Sequence, residues 1–484
     1  MKKIFIISLL LSIIINIKTL PQTENGWSIP ISICNWQEKS THSANSNMSI
    51  SKEGKIFIVW EKHDNFDNDD AAQIYLTIFN GVEWQQPIAT TKPGKWDWTP
   101  DIAVDTLGNP HIVWGEYLSS EIYYIYYNGQ KWSEPKNISE DSGESYYPRI
   151  AIDHANKLHI VWHDNTRGGD PSVYYRYYDG SQWSEKLIVS DTLEYSIFPR
   201  IAVDLQDNIH ITWCSRTTPD DNRDVFYRCC LKGEWLPIKR LTYDTLYSID
   251  PVIALLKTDL PIILWEQFEN YPNPVKIYWS AFNGEDWIQP EAIENEPRAA
   301  CRSVTVSPEN YIHVVFLCDT VKYTFYNGNV WSTPINLTNS IEYEDSEPPI
   351  INSDYEGNIH VVWISYNYIW PFTTKAIFYT HHSHISSIKE IEEIALPSNF
   401  SLKQNYPNPF NPNTIIEYSI PNASFVNLAV FDALGRKIKV LVNSEQKSGT
   451  YSVLFEGSTL SSGCYFYQLK VDGYITTKKM LLLH

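Results

Sequence analysis

Short apolar runs alternate with clusters of Gly, Asn and Asp along most of this chain, and the runs recur. Arg-Ile-Ala-Ile-Asp (149–153), His-Ile-Val-Trp (159–162), the Tyr-rich run 173–178 and a run opening at Trp183 are followed by Arg-Ile-Ala-Val-Asp (200–204) and His-Ile-Thr-Trp (210–213). Runs this short between turn residues predict antiparallel strands. A Trp closes the second run of each unit at Trp60, Trp114, Trp162, Trp213, Trp265 and Trp363, with Phe316 in the sixth place, at spacings of 47 to 54 residues.

Four strands per unit at that period predict the blades of a β-propeller. The last unit stops after residues 376–383 without reaching its own Asn-Gly-x-x-Trp strand, and that strand is found near the other end of the chain, at residues 25–32. The fourth-strand series Trp27, Trp84, Trp132, Trp183, Trp235, Trp287 and Trp331 then matches the seven second strands. The expectation is an all-β chain: a seven-bladed β-propeller closed by an N-terminal strand, which removes exposed edges, over residues 23–384. His111, His159, His210, His313 and His360 all stand three places before the Trp or Phe marker. A repeated position points to a repeated packing or hydrogen-bonding need rather than to catalysis. The turns that open at Asp105, Asp153, Asp204 and Asp354 read as hairpin chemistry in the same way.

Units such as residues 161–183 resemble the repeats of sialidase-like propellers of secreted bacterial proteins, over about residues 25–383. The intact Asp-box of true sialidases, Ser-x-Asp-x-Gly-x-x-Trp, does not occur in this sequence. The resemblance therefore implies architecture: the first strand of each blade lines a central channel and the fourth lies outermost.

Beyond a charged connector (385–396), residues 397–484 read as a small β-sandwich, with alternating runs such as 426–430 and 465–469 between Pro- and Gly-rich turns. This stretch closely resembles the C-terminal sorting domain of the type IX secretion system. The likeness rests on Asn-Tyr-Pro-Asn-Pro-Phe-Asn-Pro (405–412), Asp-Ala-Leu-Gly-Arg (432–436), Ser-Gly-Cys-Tyr (462–465) and the closing Lys478, Lys479 and Met480. It implies the type IX secretion machinery as a partner and a secreted or outer-membrane-surface location. Residues 1–22, with Lys2 and Lys3 before an apolar run from Ile4 to Ile17, fit a secretory signal peptide. No transmembrane segment is expected in the mature chain.

The balance of 38 basic against 57 acidic residues gives a net charge of −19, which disfavours nucleic acid and anionic membrane as partners. Seven cysteines in an exported chain raise the question of disulfides. Cys214 with Cys229, and Cys301 with Cys318, are each centred on a predicted hairpin turn and are the candidate pairs. No Cys-x-x-Cys or paired Cys/His spacing points to zinc, and no cofactor is expected. In the loop 61–70, Asp64, Asp67, Asp69 and Asp70 offer oxygen ligands of the kind Ca²⁺ prefers, without the Gly and terminal Glu of an EF-hand.

Variable loops on a rigid scaffold are where binding resides. The residue thirteen places before each marker, Asn47, Asp101, Arg149, Arg200, Val252, Ser303 or Ile350, should ring the channel mouth on the variable-loop face. Glu116, Asp164, Arg167 and Arg216 are expected beside it. Guanidiniums converging there can hold a carboxylate or sulfate by forked hydrogen bonds, and Trp96, Trp98, Tyr147 and Phe198 could stack on sugars. The same residues could equally form an Asp–Arg ladder between blades with rim packing. The functional expectation is a secreted or cell-surface binding module for glycan, acidic sugars favoured, or for protein. The alternatives are a glycoside hydrolase or polysaccharide lyase, for which Asp101, Glu116 and Asp164 are the candidate carboxylates, and a structural adhesin.

Overall fold

A computed structural model describes residues 26–38, 45–63, 71–140, 143–165, 169–190, 195–216, 222–243, 246–268, 276–293, 300–338, 345–369, 372–383, 400–405, 408–446, 449–458, 460–471 and 474–483. The signal segment, the connector, Arg167 and the candidate calcium ligands Asp64, Asp67, Asp69 and Asp70 lie outside these residues. The chain divides into two compact units, Met1–Ile385 and Ser386–His484.

The first unit is a seven-bladed propeller. Seven antiparallel sheets follow one another, their inner strands being Ser46–Ile50, Asp97–Val104, Ser145–Ile152, Ser196–Val203, Tyr247–Leu255, Ala300–Val306 and Ile350–Ser353, here blades 1 to 7. Within blade 3, for example, the order runs Ser145–Ile152, Leu158–Asp164, Ser172–Tyr178, Leu187–Ile188. The outermost strand of blade 7 is Ile31–Glu38, paired with Phe372–His382, and Trp27 bridges to His382. One apolar cluster then joins Trp36, Ile350, Val362 and Tyr379 of blade 7 to Met48, Ile56 and Trp60 of blade 1, so the ring is closed by side chains as well as by strands. The seven markers are all buried, at 3% exposure or less. They sit in clusters that span neighbouring blades, as Trp162 does with Val113 and Ile122 of blade 2.

The recurrent histidine is a device of this fold. In His111, His159, His210, His313 and His360 the ring Nδ1 lies 2.7 or 2.8 Å from a tyrosine hydroxyl of the third strand: Tyr124, Tyr175, Tyr227, Tyr323 and Tyr379 respectively. In blades 3, 4 and 7 Nε2 reaches the Asp that opens the hairpin turn, Asp153, Asp204 or Asp354, at 3.2 or 3.3 Å. A carboxylate only accepts, so Nε2–H donates to it and Nδ1 accepts a hydrogen bond from the tyrosine hydroxyl. Burial lowers the pKa of His111, His159 and His210, and that of His313 to about 3. Each turn Asp also accepts two backbone N–H groups, as Asp204 does from Gln206 and Asn208. A left-handed residue at the equivalent place in the turns of blades 3 to 6 holds the blade before it: Asn156 accepts from Thr106 N, Asp207 from His154 N, Asp259 from Leu205 N and Asn310 from Lys257 N.

The predicted disulfides do not form. Cys214 faces Val225 and Cys229 faces His210, because a hairpin pairs residues by register and not by equal distance from a guessed turn. The Cys214 thiol lies on the Ile197 carbonyl. Cys301 remains a thiol on the Ser303 carbonyl, since a bulge between Ala300 and Ser303 takes it out of register with the second strand.

The second unit is a β-sandwich of a three-stranded sheet (Ser401–Leu402, Asn413–Ile420, Gly449–Glu456) and a four-stranded one (Ser424–Asp432, Lys437–Gln446, Gly463–Val471, Tyr474–Leu482). Alternate residues Val426, Leu428 and Val430 meet Tyr467, Leu469, Met480 and Leu482 in its core. Its sequence motifs have local causes. Asp432 accepts from Leu434 N, Arg436 N and Arg436 Nε, which closes the turn at Gly435, where φ is +78°. Asn408 accepts from Leu481 N, and Phe410, 2% exposed, exchanges backbone hydrogen bonds with Leu481 and Leu483, so the Asn-Pro-Phe segment is sewn to the last strand.

Candidate functional site

The inner strands carry a second repeated feature. Their register to the second strands shifts between Trp98 and Asp101, Tyr146 and Arg149, Ile197 and Arg200, and Ile249 and Val252. Within each shift one residue has left-handed backbone just before a proline: Thr99 (φ +47°), Tyr147 (+53°), Phe198 (+55°) and Asp250 (+48°). Such a conformation costs about 1–3 kcal/mol for each non-glycine residue. The bulge turns these four side chains, and the ring residue two places on, toward the channel mouth.

The mouth is a cavity of about 320 Å³ lined by all seven expected ring residues, Asn47, Asp101, Arg149, Arg200, Val252, Ser303 and Ile350. Thr99, Tyr147, Phe198, Asp250, Arg302 and Glu347 complete the rim. Thr99, Asp250, Arg302 and Glu347 were not expected from the sequence, although Thr99-Pro100 and Asp250-Pro251 repeat the residue-plus-proline pattern of Tyr147-Pro148 and Phe198-Pro199.

The expected Asp–Arg ladder is not built. Asp101 instead accepts the backbone N–H of Ile150 at 2.9 Å, a link between blades 2 and 3. Asn47 donates to the Pro100 carbonyl, and the Ser303 hydroxyl bonds both N and O of Ile351, making the same kind of link elsewhere in the ring. Arg149 and Arg200 each donate to the carbonyl of their own preceding proline, Pro148 at 2.9 Å and Pro199 at 3.4 Å. Among the described residues no carboxylate forms an ion pair with Arg149, Arg200 or Arg302. Burial pushes the pKa of Arg149 and Arg200 down, and for Arg200 the charge of Arg149 adds to the effect. Guanidiniums stay protonated in proteins, so both charges are held in partly buried positions, where the fields of Asp101 and Asp250 oppose the downward pull. Burial raises the pKa of Asp101, against the opposing field of Arg149.

Behind Asp250 stands Glu266, 7% exposed, which accepts the backbone N–H of Cys301 at 2.9 Å. Burial and the charge of Asp250 push its pKa up to about 8. Tyr147 and Phe198 meet edge to face at 4.9 Å, and Trp98 lies 5.4 Å from Tyr147.

The remaining expected residues lie elsewhere. Glu116 faces Asp97 within blade 2 and pairs with Lys95 at 3.1 Å. Asp164 faces Ser145 within blade 3, accepts a hydrogen bond from its hydroxyl and another from Trp162 Nε1–H at 3.2 Å. The same register holds Ser196 against Ser215 and Ser346 against Ser365, each pair hydroxyl to hydroxyl. Glu116 and Asp164 therefore occupy a repeated strand-locking position, away from the cavity. Arg216 pairs with Asp170 at 2.8 Å and lies over the Tyr195 ring, also outside the cavity.

No curated protein matches the chain. Among solved structures it is similar to an ulvan lyase of polysaccharide lyase family PL25, with 12% identity, 70% of this chain and 91% of that one covered, and a TM-score of 0.47. It is similar to the GH93 alpha-L-arabinofuranosidase of Fusarium graminearum, with 9% identity, 58% and 92% covered, and a TM-score of 0.42. A third is PorZ, a surface component of the type IX secretion system of Porphyromonas gingivalis, with 11% identity, 90% and 59% covered, and a TM-score of 0.44. These likenesses are of overall form, and no chemistry is carried over from them. Among the described residues no helix is long and apolar enough to cross a membrane. Residues 404–482 match the family model of the secretion system C-terminal sorting domain, so this chain ends in that module and is exported by the type IX system to the cell surface or the medium.

Proposed function

We propose that the propeller is an extracellular binding module whose channel mouth takes an acidic glycan. The observation that carries this reading is the pair Arg149 and Arg200, half-buried side by side in the cavity wall and unpaired with any carboxylate among the described residues. A uronate carboxylate or sugar sulfate supplies the anion their forked donors lack, and Tyr147 and Phe198 offer ring faces and edges to the sugar. The sialidase-like repeat enters as scaffold only. The test is an array of acidic and neutral glycans probed with the whole protein and its Arg149→Ala/Arg200→Ala variant. Acidic glycans retained by the wild type and lost by the variant support the reading. Equal retention by both, or none by either, overturns it.

One observation favours catalysis as a second reading. Asp250 lines the cavity, and the neighbouring Glu266 holds its proton to about 8, as a general acid of glycoside chemistry must. This moves the candidate carboxylates from Glu116 and Asp164 to blade 5. Release of reducing sugar from a retained glycan, abolished by Asp250→Asn, would establish it; retention without turnover would exclude it.

A further inference from the structure

On the rim of blade 2 the cavity continues into a band of partly exposed aromatic rings. Phe198 and Tyr147 touch at 4.9 Å, Tyr147 and Trp98 at 5.4 Å, Trp98 and Tyr117 at 6.1 Å, and Tyr117 and Trp96 at 4.6 Å. The first two rings line the Arg149–Arg200 cavity, and the far end is open, with Tyr117 47% and the adjoining Leu118 68% exposed.

The band exists because of one departure from the repeat. The residue after each marker is Glu61, His163, Cys214, Glu266, Leu317 or Ile364 in six blades and Gly115 in blade 2. A Cβ on Gly115 would stand 2.8 Å from Trp98 Nε1. That distance is too short for a side chain, so only glycine leaves room for the indole that joins Tyr117 to Tyr147. Core aromatics of this fold, such as Trp60 and Trp162, are fully buried. The rim rings keep part of their surface in solvent and run from the cavity wall outward to Tyr117.

We propose that this band is a run of subsites for the less polar sugar faces of an acidic polysaccharide whose charged residue sits on Arg149 and Arg200. The propeller then reads a length of chain and not a single sugar. This rests on the acidic-glycan reading of the mouth.

The test is calorimetry on the whole protein with oligosaccharides that alternate glucuronic acid with a neutral N-acetylhexosamine, two, four and six residues long. The expected result is affinity rising roughly tenfold or more with length, a rise that Tyr117→Ala removes while the two-residue affinity is unchanged. Tyr117 is exposed, so its loss leaves the fold intact, which circular dichroism checks. Affinity equal at all lengths, or a rise that survives Tyr117→Ala, with Arg149→Ala still abolishing binding, overturns the band and leaves the mouth. Absence of binding at every length overturns both for this class of glycan.

Discussion

The Asp101 carboxylate and the Ile150 amide meet at 2.9 Å across the seam between blades 2 and 3, so an acidic ring residue is occupied as a structural acceptor. Asp101→Ala leaves that N–H without its partner and is expected to destabilise the propeller by about 1–3 kcal/mol. Asp101→Asn keeps an acceptor oxygen and should lose less. Urea unfolding of both variants measures this; equal stability of Asp101→Ala and wild type would refute the staple.

Trp27 joins the two ends of the propeller. It is 2% exposed, with its ring 4.7 Å from Tyr323 of blade 6, and it bridges to His382. Trp27→Ala is expected to cost about 3–5 kcal/mol, the usual range for a buried Trp. The same change at Trp183, which is half-buried in an outer strand, should cost less. Thermal denaturation of the two variants ranks them, and the reverse order would show that closure does not depend on Trp27.

The buried histidines set the acid limit of stability. His111, His159, His210 and His313 have pKa values below those of the unfolded chain. The unfolded chain therefore binds more protons, and the stability present above about pH 6.5 is lost as pH falls below it. Free energies of unfolding at pH 7.5, 6 and 5 should decrease in that order. Tyr227→Phe, which removes the hydroxyl facing His210 at 2.7 Å, should cost about 0.5–1.5 kcal/mol at pH 7.5.

Glu266 acts in the opposite direction. Its native pKa is raised to about 8, so the native state holds a proton that the unfolded state has released, and the chain loses stability as pH rises from about 4.5 through 8. Glu266→Gln removes that dependence while keeping an oxygen for Cys301 N–H. The variant is expected to exceed wild type in stability at pH 8.5, by an amount on the order of a few kcal/mol, and to match it near pH 5. A constant difference at both pH values would show that Glu266 ionises normally.

Blade number, strand order and ring closure were all legible in the sequence. Each follows from a short pattern repeated with its spacing, and Trp27 belongs visibly to the Asn-Gly-x-x-Trp series. The role of the recurrent histidines was legible for the same reason, although their tyrosine partners were not named. In the C-terminal module, Asp432 and Arg436 could be read as a motif because the turn they close is local.

Contacts set by register or by the meeting of distant strands were decided only in three dimensions. Cys214 and Cys229 looked opposed by counting, yet strand pairing placed other residues across from each. Glu116 and Asp164 looked like loop carboxylates and are locked inside their blades. Arg302 and Asp250 joined the channel mouth because bulges redirect the inner strands, and because curvature of the ring brings all seven blades to one cavity. A repeat in the chain states the geometry of one blade; which side chains of different blades face each other depends on strain and closure summed around the whole ring.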